Sequence, residues 1–116
     1  MEIGQTLQRQ WEGYALYHAS KFNLILHLVA VPAFIAANVA LIVCLALGNW
    51  VGAIISLATM LLSIAAQGRG HSKEANPAIP FSSPSEAVAR LLLEQWISFP
   101  RFVLSGLWLR AYRVAP

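Results

Sequence analysis

The chain contains no aspartate, and only five of its 116 residues are acidic. A Ser-His-Asp triad therefore lacks its third member. A single cysteine, Cys44, rules out an intramolecular disulfide, a cysteine-based structural zinc site and an iron–sulfur cluster. Cys44 lies deep in an apolar segment, where a thiol packs as a small apolar group, so a Cys-His pair is missing too. Charge of either sign is scarce: 11% of residues are charged, against about 25% in ordinary soluble domains. The sharpest absence is local. Residues 22–68, between Lys21 and Arg69, hold no Asp, Glu, Lys or Arg. There is no phosphate-cradling glycine loop either, because Gly68-Arg69-Gly70-His71 leads into a proline-rich stretch rather than a helix.

A chain this short forms one domain, residues 1–116, and most of its surface must face its surroundings. It cannot bury so long an uncharged run as a soluble core. The run is long enough to cross a bilayer twice. The expected fold is all-α: an integral membrane helical hairpin of two transmembrane helices, with amphipathic interfacial helices at both ends. Net charge is +3, and all eight cations lie outside the apolar run. They suit a surface facing anionic lipid headgroups. No cluster is dense enough to track phosphates, so nucleic acid is not an expected partner.

Residues 1–19 read as an amphipathic helix. Ile3, Leu7, Trp11, Tyr14 and His18 step by four, four, three and four onto one stripe. Trp and Tyr suit the headgroup layer, although the same stripe would serve a helix packed on protein. The segment lacks the cationic start and short apolar core of a cleavable signal peptide. The first crossing is expected over residues 23–47, after a bend near Ala19–Asn23 with Ser20 as helix cap. Pro32 inside it removes one backbone bond and leaves a carbonyl near Leu28 for a neighbour to satisfy. Gly48-Asn49 is a turn, and the second crossing spans residues 50–67. Its small residues, among them Gly52, Ala53, Ser56 and Ser63, permit close helix approach in lipid, which leaves a homo-oligomer open.

Residues 68–85 read as a loop because of Gly68, Gly70, Pro77, Pro80 and Pro84. Residues 86–112 read as interfacial helices, with Pro100 ending or kinking the first and a short re-entrant segment from Arg101 as the alternative. In that segment Val88, Leu91, Leu92, Gln95, Trp96 and Phe99 form one face, and Glu86, Arg90 and Glu94 pair on the other. The turn between the crossings is uncharged, while Lys21, Arg69 and Lys73 flank their other ends. The positive-inside rule then places both termini in the cytoplasm.

All three histidines, His18, His27 and His71, fall at that charged end. Any one of them alone is more often a helix-end or water-facing residue than a ligand. Together with Glu74, one helical turn beyond His71, they form a candidate metal site. A set of three His, or two His and a carboxylate, suits iron(II), zinc or copper, and spacing does not choose among them. His18 and His27 are nine residues apart, which puts them on opposite faces of one straight helix, so the chain must bend for both to meet one ion.

Tyr17-His18, Asn23, His27 and Pro32, followed by Gln67, Gly70-His71, Glu74 and Pro77-Ala78, resemble the two motifs of the Mpo1-like (DUF962) family of membrane 2-hydroxy fatty acid dioxygenases. The tail EQWISFPRFVLSG, from Glu94 to Gly106, resembles the short bacterial-type branch. The resemblance implies a non-haem Fe(II) dioxygenase of a bacterial inner membrane that shortens 2-hydroxy fatty acids by one carbon. By motif position it implies His18, His27 and His71 as the catalytic, metal-site histidines. A 2-hydroxy acid could chelate the metal through carboxylate and hydroxyl while its chain stays in lipid. Asn23, Arg69, Lys73 and Arg101 are the candidate substrate-binding residues, the cations by pairing with the carboxylate. Two competing readings remain at this point. One is a non-enzymatic hairpin that scaffolds a partner or oligomerises. The other is a b-haem protein with His27 and His71 as axial ligands.

Overall fold

A computed structural model describes residues 2–116, and Met1, with which the expected first helix begins, lies outside the described residues. Helices make up the ordered elements, with no strand among the described residues. Helix α1 runs Ile3–Tyr17, α2 Lys21–Ala46 and α3 Trp50–His71. A last helical arm consists of α4 (Pro84–Leu93), a π-helical turn (Glu94–Ser98) and α5 (Phe99–Leu104), followed by α6 (Leu107–Val114).

Helices α2 and α3 are each long and apolar enough to cross a membrane. They lie antiparallel. Cys44 meets Gly52 near the turn, Ser63 Oγ donates to the Ala30 carbonyl at 2.6 Å midway, and Asn23 meets Gly70 at the far end. Gly48, at φ +69°, makes the turn possible. Its neighbour Asn49 donates its N–H back to the Cys44 carbonyl and caps α3 by accepting from Gly52 N. The chain bends between α1 and α2 at His18–Ser20, and Ser20 caps α2 by accepting from Asn23 N. Pro32 is accommodated within α2. The side-chain bond to that stretch falls on the Ala30 carbonyl, not on Leu28, because Ala30 is the residue that faces Ser63.

The boundaries depart from expectation at two places. Gly68 and Gly70 do not end α3, which continues to His71, so the loop begins only at Ser72. Glycine weakens a helix but does not break it where packing supports the turn. Pro100 does not end the last arm either. The π turn precedes it, with Phe99 N–H bonded to the Glu94 carbonyl five residues back. The wider turn accommodates a proline that would otherwise collide with the preceding carbonyl. The inward face of this arm is Gln95, Ser98, Phe99 and Phe102, while Val88, Leu92 and Trp96 face outward.

The apolar core lies at one end of the α2–α3 pair. Tyr14, Leu24, Val31, Phe99 and Phe102 form it, with Trp11, Ile35, Trp108 and Tyr112 packed around. Trp108 Nε1 donates to the Leu24 carbonyl at 3.0 Å, tying α6 to α2.

Candidate metal centre

Four elements converge on one point at this end. His18 closes α1, His27 lies one turn and a half into α2, His71 is the last residue of α3, and Glu94 opens the π turn. One ligand atom from each lies within 4.8 Å of the other three. The imidazole rings stand nearly perpendicular to one another, with centroids 4.7–5.0 Å apart. This cluster could hold a metal ion, and nothing in its geometry selects iron over other first-row metals.

The fit of a cation rests on protons. His18 Nδ1 lies 2.8 Å from the Tyr14 carbonyl and His27 Nδ1 lies 3.0 Å from the Asn23 carbonyl. A carbonyl only accepts, so both rings carry a proton on Nδ1 and, when neutral, turn a bare Nε2 inward. Those two lone pairs face Glu94 Oε2 at 3.1 and 3.5 Å. Two neutral acceptors and a carboxylate oxygen repel unless a cation or extra protons lie among them. His27 Nε2 and His71 Nδ1 are buried and make no hydrogen bond among the described residues. Buried nitrogens without a partner are costly, and a metal with three nitrogen ligands and one oxygen ligand would satisfy both.

Tyr14 supports the carboxylate from outside. Its hydroxyl donates to Glu94 Oε2 at 2.8 Å and its ring stacks on His18 at 3.8 Å. Burial first, and then the Glu94 charge, raises the Tyr14 hydroxyl well above its usual range, so it stays a donor. For Glu94 itself burial favours the protonated form. With a proton on Nε2 as well, His18 and His27 would donate to it, and their hydrogen bonds and charges would outweigh burial and hold the carboxyl well below the usual range. Behind the cluster, Gln67 and Gln95 exchange two amide hydrogen bonds of 2.8 Å each, locking α3 to the π turn next to Glu94.

Glu74, the expected carboxylate ligand, does not enter the cluster. Its oxygens accept from Ala19 N, Ser20 N and Asn23 Nδ2 at 2.7–3.1 Å. It caps the N-terminus of α2, where the helix presents free N–H groups to an anion. Asn23, expected to meet substrate, is fully buried between Glu74 and Gly70 and serves this joint instead.

A cavity of about 490 Å³, mostly apolar, opens onto the centre. Tyr14, His18, His71 and Glu94 form its inner wall, and Ile64, Ile79, Phe81 and Leu91 contribute apolar surface. Arg69, Lys73 and Arg101 are not among its lining residues; Arg9 and Arg90 are. Arg101 lies over the Trp11 ring at 3.9 Å instead. Sequence reasoning paired Arg90 with both Glu86 and Glu94. Arg90 reaches Glu86 and the Ile79 and Pro80 carbonyls, while Glu94 turns inward. The signal for Glu94 lay in the Glu94–Gln95 pair, two polar residues between the apolar Leu91–Leu93 and Trp96-Ile97.

Comparison of the chain with protein-family models, curated proteins and solved structures finds no match.

Proposed function

We propose that the protein is an integral membrane, non-haem iron(II) dioxygenase that shortens 2-hydroxy fatty acids by one carbon. In this reading α2 and α3 cross the bilayer as a hairpin with both termini cytoplasmic, and α1 and the last arm lie at the membrane surface. The observation that carries it is the junction of the four-residue cluster with the apolar cavity. A metal-binding end and an apolar body are what a 2-hydroxy acid offers. The family resemblance of the histidine motifs supplies the reaction.

His18, His27, His71 and Glu94 would hold the iron. When bound it would supply dioxygen activation, chemistry that side chains alone lack. The protein's own groups do the rest. Tyr14 holds the Glu94 carboxylate in place through Oε2. The Tyr14 and Asn23 carbonyls fix the ring orientations of His18 and His27. The apolar wall excludes water and aligns the chain of the acid. The overall reaction balances without a co-reductant: the 2-hydroxy acid and O₂ give the shorter acid, CO₂ and water.

The haem alternative meets a steric objection. The His27 and His71 centroids are 5.0 Å apart and perpendicular, and His18 and Glu94 fill the space a macrocycle would need between axial ligands. A scaffold that self-associates through the small residues of α3 leaves the two unpartnered nitrogens without a role.

Purified protein loaded with Fe(II) under air should convert a long-chain 2-hydroxy acid to the acid one carbon shorter, read by mass spectrometry. The unhydroxylated acid should react far less, since it lacks the second chelating oxygen. Equal turnover of both acids overturns the chelation, and no turnover of either by iron-loaded protein overturns the enzyme.

A further inference from the structure

One segment of the cavity wall exposes more apolar surface than lining the cavity requires. Ala78–Phe81 reads Ala-Ile-Pro-Phe, and Ile79, 57% exposed, and Phe81, 49% exposed, turn apolar side chains outward. A solvated loop of that composition should be floppy. This one is pinned. Arg90 Nη1 donates to the Pro80 carbonyl at 3.1 Å and Nη2 to the Ile79 carbonyl at 2.8 Å. The same guanidinium lies over the Phe81 ring at 4.5 Å. Glu86 completes the clasp, pairing with Arg90 at 3.3 Å and accepting from Ser82 N and Oγ. Both terminal nitrogens of Arg90 thus hold the backbone of a segment whose two large apolar side chains are half exposed.

The position of the segment gives the clasp a purpose. Ile79 and Phe81 share the cavity wall with Ile64 of α3. Ile64 precedes His71 by seven residues, about 10 Å along the helix axis at 1.5 Å per residue. It lies on the apolar side of the metal centre, within the uncharged run. The chain therefore folds back from Ser72 so that this segment shares a wall with the membrane-facing part of α3. A water-filled route from the cytoplasm would not require apolar side chains there. A route from the acyl-chain layer would.

We infer that Ala78–Phe81 is the lipid-immersed threshold of the cavity, and that an alkyl-chain substrate passes sideways from the bilayer between this segment and α3 to reach the metal centre. The inference rests on the membrane-embedded reading of α2 and α3. Arg90 acts as the anchor at headgroup level, its stem among apolar groups and its charge on backbone carbonyls. Arg9, the other cavity cation, lines the cavity on α1.

The test is the depth of the segment, which needs no turnover. In a Cys44→Ala background, Phe81→Cys and, separately, Ile79→Cys carry a nitroxide label in vesicles of phosphatidylethanolamine and phosphatidylglycerol. Leu62→Cys marks the acyl layer and Pro116→Cys marks water. Power saturation should show both threshold labels relaxed by oxygen over a water-soluble nickel chelate, as for Leu62. Labels at 79 and 81 that both respond to the chelate as Pro116 does overturn the threshold. Two positions keep the result secure if one variant misfolds. Lipid-immersed labels on a protein that binds no metal would sink the enzymatic reading and leave the threshold standing. Water-exposed labels on a fully active protein would do the reverse.

Discussion

The two ends of the α2–α3 pair are made of similar helix and treated differently by the rest of the chain. At one end α1, the π turn, α5 and α6 close over α2, and every buried residue of α2 lies between Asn23 and Ala37. The arm reaches as far as Asn38, whose Oδ1 accepts from Trp96 Nε1 at 3.0 Å, and beyond it no residue of α2 is buried. Val39, Ile42, Val51, Ile54 and Ile55 are exposed there, and the small residues Ala53 and Ser56 of α3 are buried. The bare end relies on its surroundings to cover apolar surface. The covered end holds nearly all the buried polar groups: His18, Asn23, His27, Gln67, Gln95 and Ser98. Side chains that must be hydrogen-bonded or ligated need protein around them, whereas exposed leucines in lipid need nothing specific. Substitutions should therefore be costly and specific at one end and almost silent at the other.

The largest effect belongs to the cluster. His27→Ala and Glu94→Ala should each lower iron(II) affinity by more than the roughly 10–100-fold typical of a residue that only orients a ligand. Competition titration with a chromogenic chelator reads it, with helix content by circular dichroism as the control. Full metal retention in both variants would break the contrast, since the covered end would then have no ligand role.

Gly70→Ala comes next. A Cβ at residue 70 would collide with the Asn23 side-chain oxygen and come within 2.9 Å of Leu26 Cδ2. Asn23 cannot retreat, because Glu74 holds its amide at 2.7 Å. The helices must part where they carry His27 and His71, at a cost of about 3 kcal/mol. Denaturation in mild detergent should show that loss, together with weaker metal binding. Alanine at Gly68, with open space around it, should show neither.

Glu74→Ala should be milder and of a different kind. It removes the α2 cap and strands the Asn23 amide, a loss of about 2 kcal/mol. Metal stoichiometry should stay at the unsubstituted value. The opposite pattern, intact stability with lost metal, would restore Glu74 as a ligand.

The pair Glu74 and Glu94 also shows what a sequence can disclose. The three histidines could be placed at one end by counting, because the uncharged run between Lys21 and Arg69 fixes where α2 and α3 begin and end. The cap at Ser20 and the turn at Gly48-Asn49 followed from residue chemistry. Glu74 suggested itself as a ligand because it is three residues from His71, and local spacing is all a sequence shows. The helix ends at His71, so that spacing spans a turn and Glu74 points to the start of α2 instead. Glu94 is far from every histidine in sequence. Its N–H still bonds to the Arg90 carbonyl, and Glu86, Arg90 and Glu94 share the cavity-facing side of α4; a polar side reads as an outer face when the cavity it lines is not visible in the sequence. The cavity was equally hidden, since its wall comes from four separate segments.

The smallest effect is the most direct test of the bare end. Ile54 lies in the second turn of α3 and is 68% exposed. If lipid covers it, Ile54→Ala exchanges one apolar surface for a smaller one while lipid tails fill the gap. No cavity forms, no polar group is stranded, and stability should change by no more than about 0.5 kcal/mol. Metal content should not move. If the bare end is instead covered by a second copy of the chain, the same truncation leaves a void in that contact. It should then cost roughly 2–5 kcal/mol and shift the oligomeric state. Measuring unfolding and molecular mass of Ile54→Ala in the same detergent separates the two. A silent variant means that α3 faces lipid at this level, and a strongly destabilised, smaller species means that the two ends of the pair differ only in which protein covers them.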